Sequence, residues 1–239
     1  MTRIVAFALG TIWRWEKNHN RAGLLDYVMK LDVDGVELTL ATKEEVFTFK
    51  PNKKQLTWLR GLKYVSIHAP FGIMRLSADE TEVLHLFDKI QEIYDLVKAK
   101  TVVIHPNDLP EPGVLRKYKM HISIENLKPK RKFPVDKMVK IIKKYNSSLC
   151  LDVTHAYYWS RKETGRYVKR FKGNISEIHL SGNYKKKDHL SLRGVTRTFM
   201  ESIEPLRLID APIIIEEGFD DKSLKFAKEE VALVRRLFN

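Results

Sequence analysis

Six residues able to bind a divalent cation each close a short apolar run. They are His68 after Val65-Ser66-Ile67, His105 after Val102-Val103-Ile104, Glu125 after Ile122-Ser123-Ile124, Asp152 after Leu149-Cys150-Leu151, His179 after Ile175-Ser176-Glu177-Ile178, and Glu216 after Ile213-Ile214-Ile215. Their successive spacings are 37, 20, 27, 27 and 37 residues. Carboxylates and imidazoles gathered in one place repel each other and cost desolvation energy unless a cation holds them. A mixed set of nitrogen and oxygen donors suits zinc, with manganese as the alternative, and suits calcium less well. Two further imidazoles lie beside these run ends, in Asp152-Val153-Thr154-His155 and Asp188-His189. Five of the eight histidines therefore fall at or near the run ends. His19 lies elsewhere; His85, within a helical stretch, and His121, opening a strand, read as structural.

The elements that must position these residues alternate along the chain. Apolar residues at Val83, Leu86, Phe87, Ile90, Ile93, Tyr94 and Val97 form the stripe of a helix over Thr81–Lys98 packed on one side. Further helical periods cover Gly23–Leu31, Lys53–Leu62, Val135–Tyr145, Thr164–Phe171, Arg197–Leu208 and Ser223–Phe238. Pro134 suits a helical first turn, and Asp220-Asp221 suits the positive N-terminal end of the last helix. With Ile4–Leu9 and Gly35–Leu38 added, eight strands alternate with helices, and near-continuous apolar strands imply a parallel sheet covered on both faces. Eight such units in 239 residues fit a closed (β/α)8 TIM barrel in one domain, residues 1–239. In that fold the strands deliver their C-terminal ends to the active-site face. The fourth unit is short: Pro106, Pro110, Pro112 and Gly113 crowd the segment between His105 and Glu125, leaving room for a turn or two around Val114–Lys119.

Composition bounds the remaining choices. No stretch of 18 apolar residues is present, so no membrane span is expected. The N-terminal run Met1–Phe7 reads as a first strand and not as a secretory signal. The single Cys150 excludes an internal disulfide and fits a reducing cytoplasm. A net charge of +13 points to an anionic partner, though Lys- and Glu-rich surfaces also occur in heat-adapted proteins. Basic clusters fall on expected active-face loops: Lys128-Pro129-Lys130-Arg131-Lys132, Lys185-Lys186-Lys187, and Arg193. Such a rim suits a phosphate backbone.

Taken in order, Ile67-His68-Ala69-Pro70-Phe71, Val103-Ile104-His105-Pro106, Ile124-Glu125-Asn126-Leu127, Leu151-Asp152-Val153-Thr154-His155-Ala156, Ile178-His179-Leu180-Ser181 and His189-Leu190-Ser191-Leu192 resemble the xylose-isomerase-like TIM-barrel superfamily. That group includes endonuclease IV (AP endonuclease family 2), which cuts DNA at abasic sites, and many sugar isomerases and epimerases. The resemblance implies one of two uses of the face. In the isomerase branch one ion sits on Glu125, Asp152, His179 and Glu216, and Glu125 and Glu216 shuttle a proton on and off carbon. In the endonuclease branch three zinc ions are held. His68 and His105 take the first, with Glu125 as a bridge, Asp152, His179 and Glu216 the second, and His155 and His189 the third.

His68 and His105 are surplus to a one-ion site, which favours the hydrolase. The resemblance is imperfect at the third ion: an aspartate is expected two residues before the histidine, and Lys187 stands there, so that Asp188 would serve only if the loop is reshaped. A Gly-Glu-Gly turn is also replaced, by Arg193-Gly194-Val195. The expected function is thus a divalent-metal-dependent phosphodiester hydrolase acting on abasic or damaged DNA. A sugar or sugar-phosphate isomerase or epimerase is the alternative, and a non-catalytic binding barrel the second alternative. Lys187, Arg193, Tyr157 and Asn126 are the expected substrate-side residues; Asn126 would also orient Glu125, and Tyr157 would stack on a ring or pack on its own loop. Glu37 would face the pocket or form a buried salt bridge. The partner is DNA or a phosphorylated sugar, with no membrane involved and no oligomeric state implied.

Overall fold

A computed structural model describes residues 2–16, 20–72, 80–185, 187–218 and 223–238. Eight strands close into a parallel barrel: β1 (Val5–Ala8), β2 (Gly35–Thr39), β3 (Tyr64–His68), β4 (Thr101–Ile104), β5 (Ile122–Glu125), β6 (Ser148–Asp152), β7 (Ile175–Leu180) and, after an inserted hairpin, β10 (Ile213–Ile215). Each pairs with its neighbour in chain order; β7 pairs with β10, and β10 with β1. The hairpin consists of β8 (Gly182–Tyr184) and β9 (Lys187–Leu190), paired antiparallel outside the barrel.

Alternate residues of a strand face opposite sides, and that parity sorts this barrel into two chemistries. Val5, Phe7, Val36, Leu38, Val65, Ile67, Val102, Ile104, Ile124, Leu149, Leu151, Ile178, Leu180, Ile213 and Ile215 belong to the main apolar core beneath the helices. The other parity is mostly small or polar: Ala6, Ala8, Glu37, Ser66, His68, Ser123, Glu125, Cys150, Asp152, Glu177 and His179, all buried, with Tyr64, Val103 and Ile214 among them. Cys150 is a free buried thiol. The apolar face drives closure, while the polar face fills the barrel interior and rises to its C-terminal end.

The helices are α1 (Arg21–Val28), α2 (Lys43–Thr48), α3 (Lys53–Gly61), α4 (Glu80–Val97), α5 (Pro112–Leu115), α6 (Val135–Tyr145), α7 (Val153–Trp159), α8 (Glu163–Phe171), α9 (Arg197–Ile203) and α10 (Leu224–Phe238). Only the four-residue α5 lies between β4 and β5. The expected helix over Arg197–Leu208 tightens into a 3-10 turn from Glu204, because Pro205 has no N–H to continue an α-helical ladder. The sequence reading missed α2, α7 and the hairpin, all of which are short. Asp220 and Asp221 lie outside the described residues, as does His19. No helix among the described residues is long and apolar enough to cross a membrane.

Candidate metal centre

Three clusters of ligand-type atoms meet at the C-terminal mouth: His68, His105 and Glu125; Asp152, His179 and Glu216; and His155, Asp188 and His189. Glu125 and Asp152 also cluster with His155, so the groups are contiguous. Glu125 is the hinge between them. Its Oε2 lies 3.1 Å from His68 Nε2 and 3.0 Å from His105 Nε2, while its Oε1 lies 3.0 Å from His155 Nδ1. One buried carboxylate thus turns its two oxygens to different sides of the site.

Local structure explains how each side chain arrives. His68, Asp152 and His179 lie on the interior parity at the C-terminal ends of their strands, and Asp152 pairs with His179 in the ladder between β6 and β7. Asp152 is also the N-cap of α7: its Oδ1 accepts from the His155 amide at 2.6 Å and from Thr154 Oγ1 at 2.8 Å. That cap starts α7 directly after β6 and places His155 in its first turn, over the mouth. His189 reaches the site from β9 with a left-handed φ of 53°. The hairpin can fold so tightly because Gly182 has no Cβ; one there would lie 2.6 Å from the Ser191 carbonyl oxygen.

Several ring nitrogens are held by the protein itself. His68 Nδ1 lies 2.9 Å from the Ala69 carbonyl, His155 Nδ1 2.9 Å from the Asn126 carbonyl, and His189 Nδ1 3.0 Å from the Glu216 carbonyl. His179 Nε2 lies 2.9 Å from Glu37 Oε2, both fully buried, though not aligned as a hydrogen bond. Fixing one nitrogen as an N–H donor selects the tautomer whose other nitrogen carries a free lone pair, the usual support of a metal-ligating imidazole. Asp108, buried, lies farther from His105 Nδ1, at 3.8 Å. Glu37 and Asp108 thus lie behind the site as nearby buried carboxylates. Only the Glu37 strand phase hinted at this in the sequence, and Asp108 carried no signal.

A cation fits the remaining orphans. Asp152 Oδ2, His179 Nδ1 and Glu216 Oε2 are buried without a hydrogen-bond partner among the described residues, and their three side chains form one cluster. His179 Nδ1 and Glu216 Oε2 are 3.0 Å apart but not aligned as a hydrogen bond. Leaving three such groups unsatisfied is costly, and a divalent ion would satisfy all three.

The electrostatics point the same way. Burial disfavours a charged imidazole, yet at His68 the Glu125 hydrogen bond and the charges of Glu37 and Glu125 outweigh it and lift the ring to about 9. At His155, burial is likewise outweighed, by Asp152 and Glu125, to about 9. Burial would raise Glu216, but His179 holds it down at about 2. Glu125 is driven well below the ordinary carboxylate range against its burial, chiefly by His105. Without an ion, protons on the histidines supply the positive charge that the carboxylates demand.

Several expectations change here. Asn126 bonds through its side chain to Asp152 and not to Glu125. It is fully buried, its Nδ2 donates to the Asp152 carbonyl at 2.8 Å, and its Oδ1 accepts from the Asp152 amide at 2.8 Å. Arg193 is turned from the rim onto α10, with Nη1 2.9 Å from Glu229, Nε 2.5 Å from Glu230, and its guanidinium over the Phe226 ring. Those two carboxylates, one buried and one exposed, outcompete solvent for its N–H groups. Tyr157 packs edge-on against Phe199 with 5.1 Å between ring centroids. Lys187 is exposed on β9 and outside the ligand clusters; its neighbour Asp188 joins His155 and His189 instead. Asp188 also forms an ion pair with Lys128.

Beside the ligands opens a cavity of about 440 Å³, bordered by Glu216 and His189 and flanked by the half-exposed rings of Trp13 and Phe71. Lys130, Arg131 and Lys132 follow β5 and are all exposed.

No protein-family model and no curated protein sequence matches the chain. Solved structures do. A D-allulose 3-epimerase from Methylomonas sp. superposes with a TM-score of 0.72 at 12% identity, covering 99% of this chain and 98% of that one. A xylose isomerase domain containing protein from Salmonella typhimurium gives 0.69 at 17%, covering 100% and 98%. The chain has the xylose-isomerase-like TIM-barrel fold. Endonuclease IV from Thermus thermophilus shares that fold, with a TM-score of 0.66 at 18% identity and coverage of 98% and 97%. At these identities the likeness speaks for the xylose-isomerase-like barrel alone, and both activities occur among proteins that have it.

Proposed function

We propose that the protein is a divalent-metal-dependent phosphodiester hydrolase acting on abasic or damaged DNA. The observation that carries this reading is the contiguity of three ligand clusters around Glu125, whose two oxygens face different histidines. A single-ion enzyme needs Glu125, Asp152, His179 and Glu216 and leaves His68, His105, His155, Asp188 and His189 without a task. Five such groups at one barrel mouth are expensive to keep buried or half-buried without cations.

The donor set suits zinc, with manganese as the alternative. Bound ions would polarise the scissile phosphate, lower the pKa of an attacking water and offset charge on the phosphoryl oxygens and leaving group. The chain's own residues supply the rest. Glu125 would bridge the first ion to its neighbour, and Asp152, His179 and Glu216 would hold the second. His155, Asp188 and His189 would hold the third, with Asp188 in the role that Lys187 cannot fill. The carbonyls of Ala69, Asn126 and Glu216 would orient the His68, His155 and His189 rings, with Glu37 beside His179. Lys130, Arg131 and Lys132 would contact the DNA backbone from the rim.

A duplex carrying one abasic site tests this reading. Incision is expected with two or three zinc or manganese ions per chain, lost on chelation and restored by the metal. Absence of incision at full metal occupancy overturns it. The cavity of about 440 Å³ beside Glu216, flanked by Trp13 and Phe71, favours a second reading, a sugar or sugar-phosphate isomerase or epimerase. There one ion per chain is expected, Glu125 and Glu216 would transfer the proton, and Glu216→Gln should abolish solvent-deuterium exchange into a ketose. Unchanged exchange would remove that role.

A further inference from the structure

Outside the ligand clusters, α7 and the β8–β9 hairpin enclose a second cavity, of about 310 Å³, lined by Tyr157, Tyr158, Asn183, Tyr184, Lys185 and Thr196. Its chemistry differs from that of the metal centre: three phenol rings, one carboxamide, one hydroxyl and one ammonium. Two of the rings carry cations, with Lys128 Nζ 5.1 Å from the Tyr158 centroid and Lys185 Nζ 5.1 Å from the Tyr184 centroid. Tyr157 is braced from behind by Phe199, so the back wall is rigid. Tyr184 leaves 42% of its surface exposed, a large ring on the hairpin outside the main apolar core. Asn183 is 5% exposed and offers both a donor and an acceptor.

The cavity adjoins the third ligand cluster. Tyr157 and Tyr158 follow His155 on α7, Tyr184 pairs across the hairpin with Lys187 beside Asp188, and Lys128 joins Asp188 to the Tyr158 ring. Aromatic faces interleaved with lysines are what an unstacked base and its phosphate require, and every base has a face to stack. The +13 net charge favours a polyanionic strand as the occupant.

We propose that this tyrosine pocket binds one unstacked nucleotide of the strand being cut, with the base on the Tyr184 ring and its phosphate on Lys185. The proposal rests on the hydrolase reading for the identity of the ligand. The test uses the full chain loaded with zinc and a short fluorescent oligothymidylate, followed by anisotropy. Tyr184→Ala should weaken binding about tenfold or more, Tyr184→Phe should stay near wild type, and Lys185→Ala should lower the salt slope by about one. A strand of the same length without bases should bind wild type and Tyr184→Ala equally. Folding of each variant is checked by circular dichroism; Tyr184 is exposed, so loss of fold is not expected. Tyr184→Ala binding within twofold of wild type, or no binding of the oligothymidylate by wild type, overturns the pocket. Abasic-site incision by the same preparation separates the two ideas: incision with unchanged Tyr184→Ala binding sinks only the pocket, and failed incision with base-dependent binding sinks only the hydrolase.

Discussion

Removing the metal should invert the pH dependence of stability. In the metal-free protein the His68 and His155 rings are both raised from 6.5 to about 9, so the folded state holds protons that the unfolded chain releases earlier. A raised histidine contributes stability that is complete below 6.5 and disappears as pH climbs through about 9. For one ring this is worth about 3 kcal/mol. Both rings lean on Glu125, so their contributions are not additive, and together they amount to about 3 to 5 kcal/mol. Asp152 and Glu217, raised by burial, act in the same direction at lower pH. Urea unfolding of chelated protein at several pH values from about 6 to about 9.5 should therefore show a midpoint that falls steadily. With zinc or manganese in excess the ions replace those protons, and each displaced proton strengthens metal binding up to about tenfold per pH unit. Stability should then rise across the same interval, and the two curves should diverge. A metal-free profile that is flat or rising between the two values refutes the assignment of Glu125 and Asp152 as the groups that charge these rings.

Asn126→Ala leaves the Asp152 amide and carbonyl buried without the Asn126 side chain, which costs about 2 to 5 kcal/mol and lowers Tm by about 5 to 15 °C in calorimetry. A loss under about 1 kcal/mol would mean that α7 starts without that clamp. Asp188→Asn should cost one bound ion per chain in elemental analysis while the other two remain, and Lys187→Ala should cost none. The reverse ranking would return the third site to the position that resemblance implies.

The strand ends were legible in sequence because a strand alternates its side chains with a period of two. Val65, Ile67, Leu149 and Leu151 face the helices, which forces His68, Cys150 and Asp152 into the barrel interior. Long amphipathic helices were legible for a similar local reason, and Val135–Tyr145 has the same bounds in sequence and structure. Short elements were not: α7 depends on Asp152 acting as a cap, and six or seven residues carry little periodicity.

What the amino-acid order alone determined is that six metal-type residues terminate strands of one barrel, since local periodicity and chain alternation suffice for that. Tertiary structure decided the rest, because it depends on groups distant in the chain. Glu125 became a bridge only when β3, β4 and α7 brought three imidazoles to its two oxygens. Asp188, not Lys187, clusters with His155 and His189, in a hairpin where a Cβ on Gly182 would meet Ser191 and Val195. Arg193 left the rim because α10 set Glu229 and Glu230 beside it.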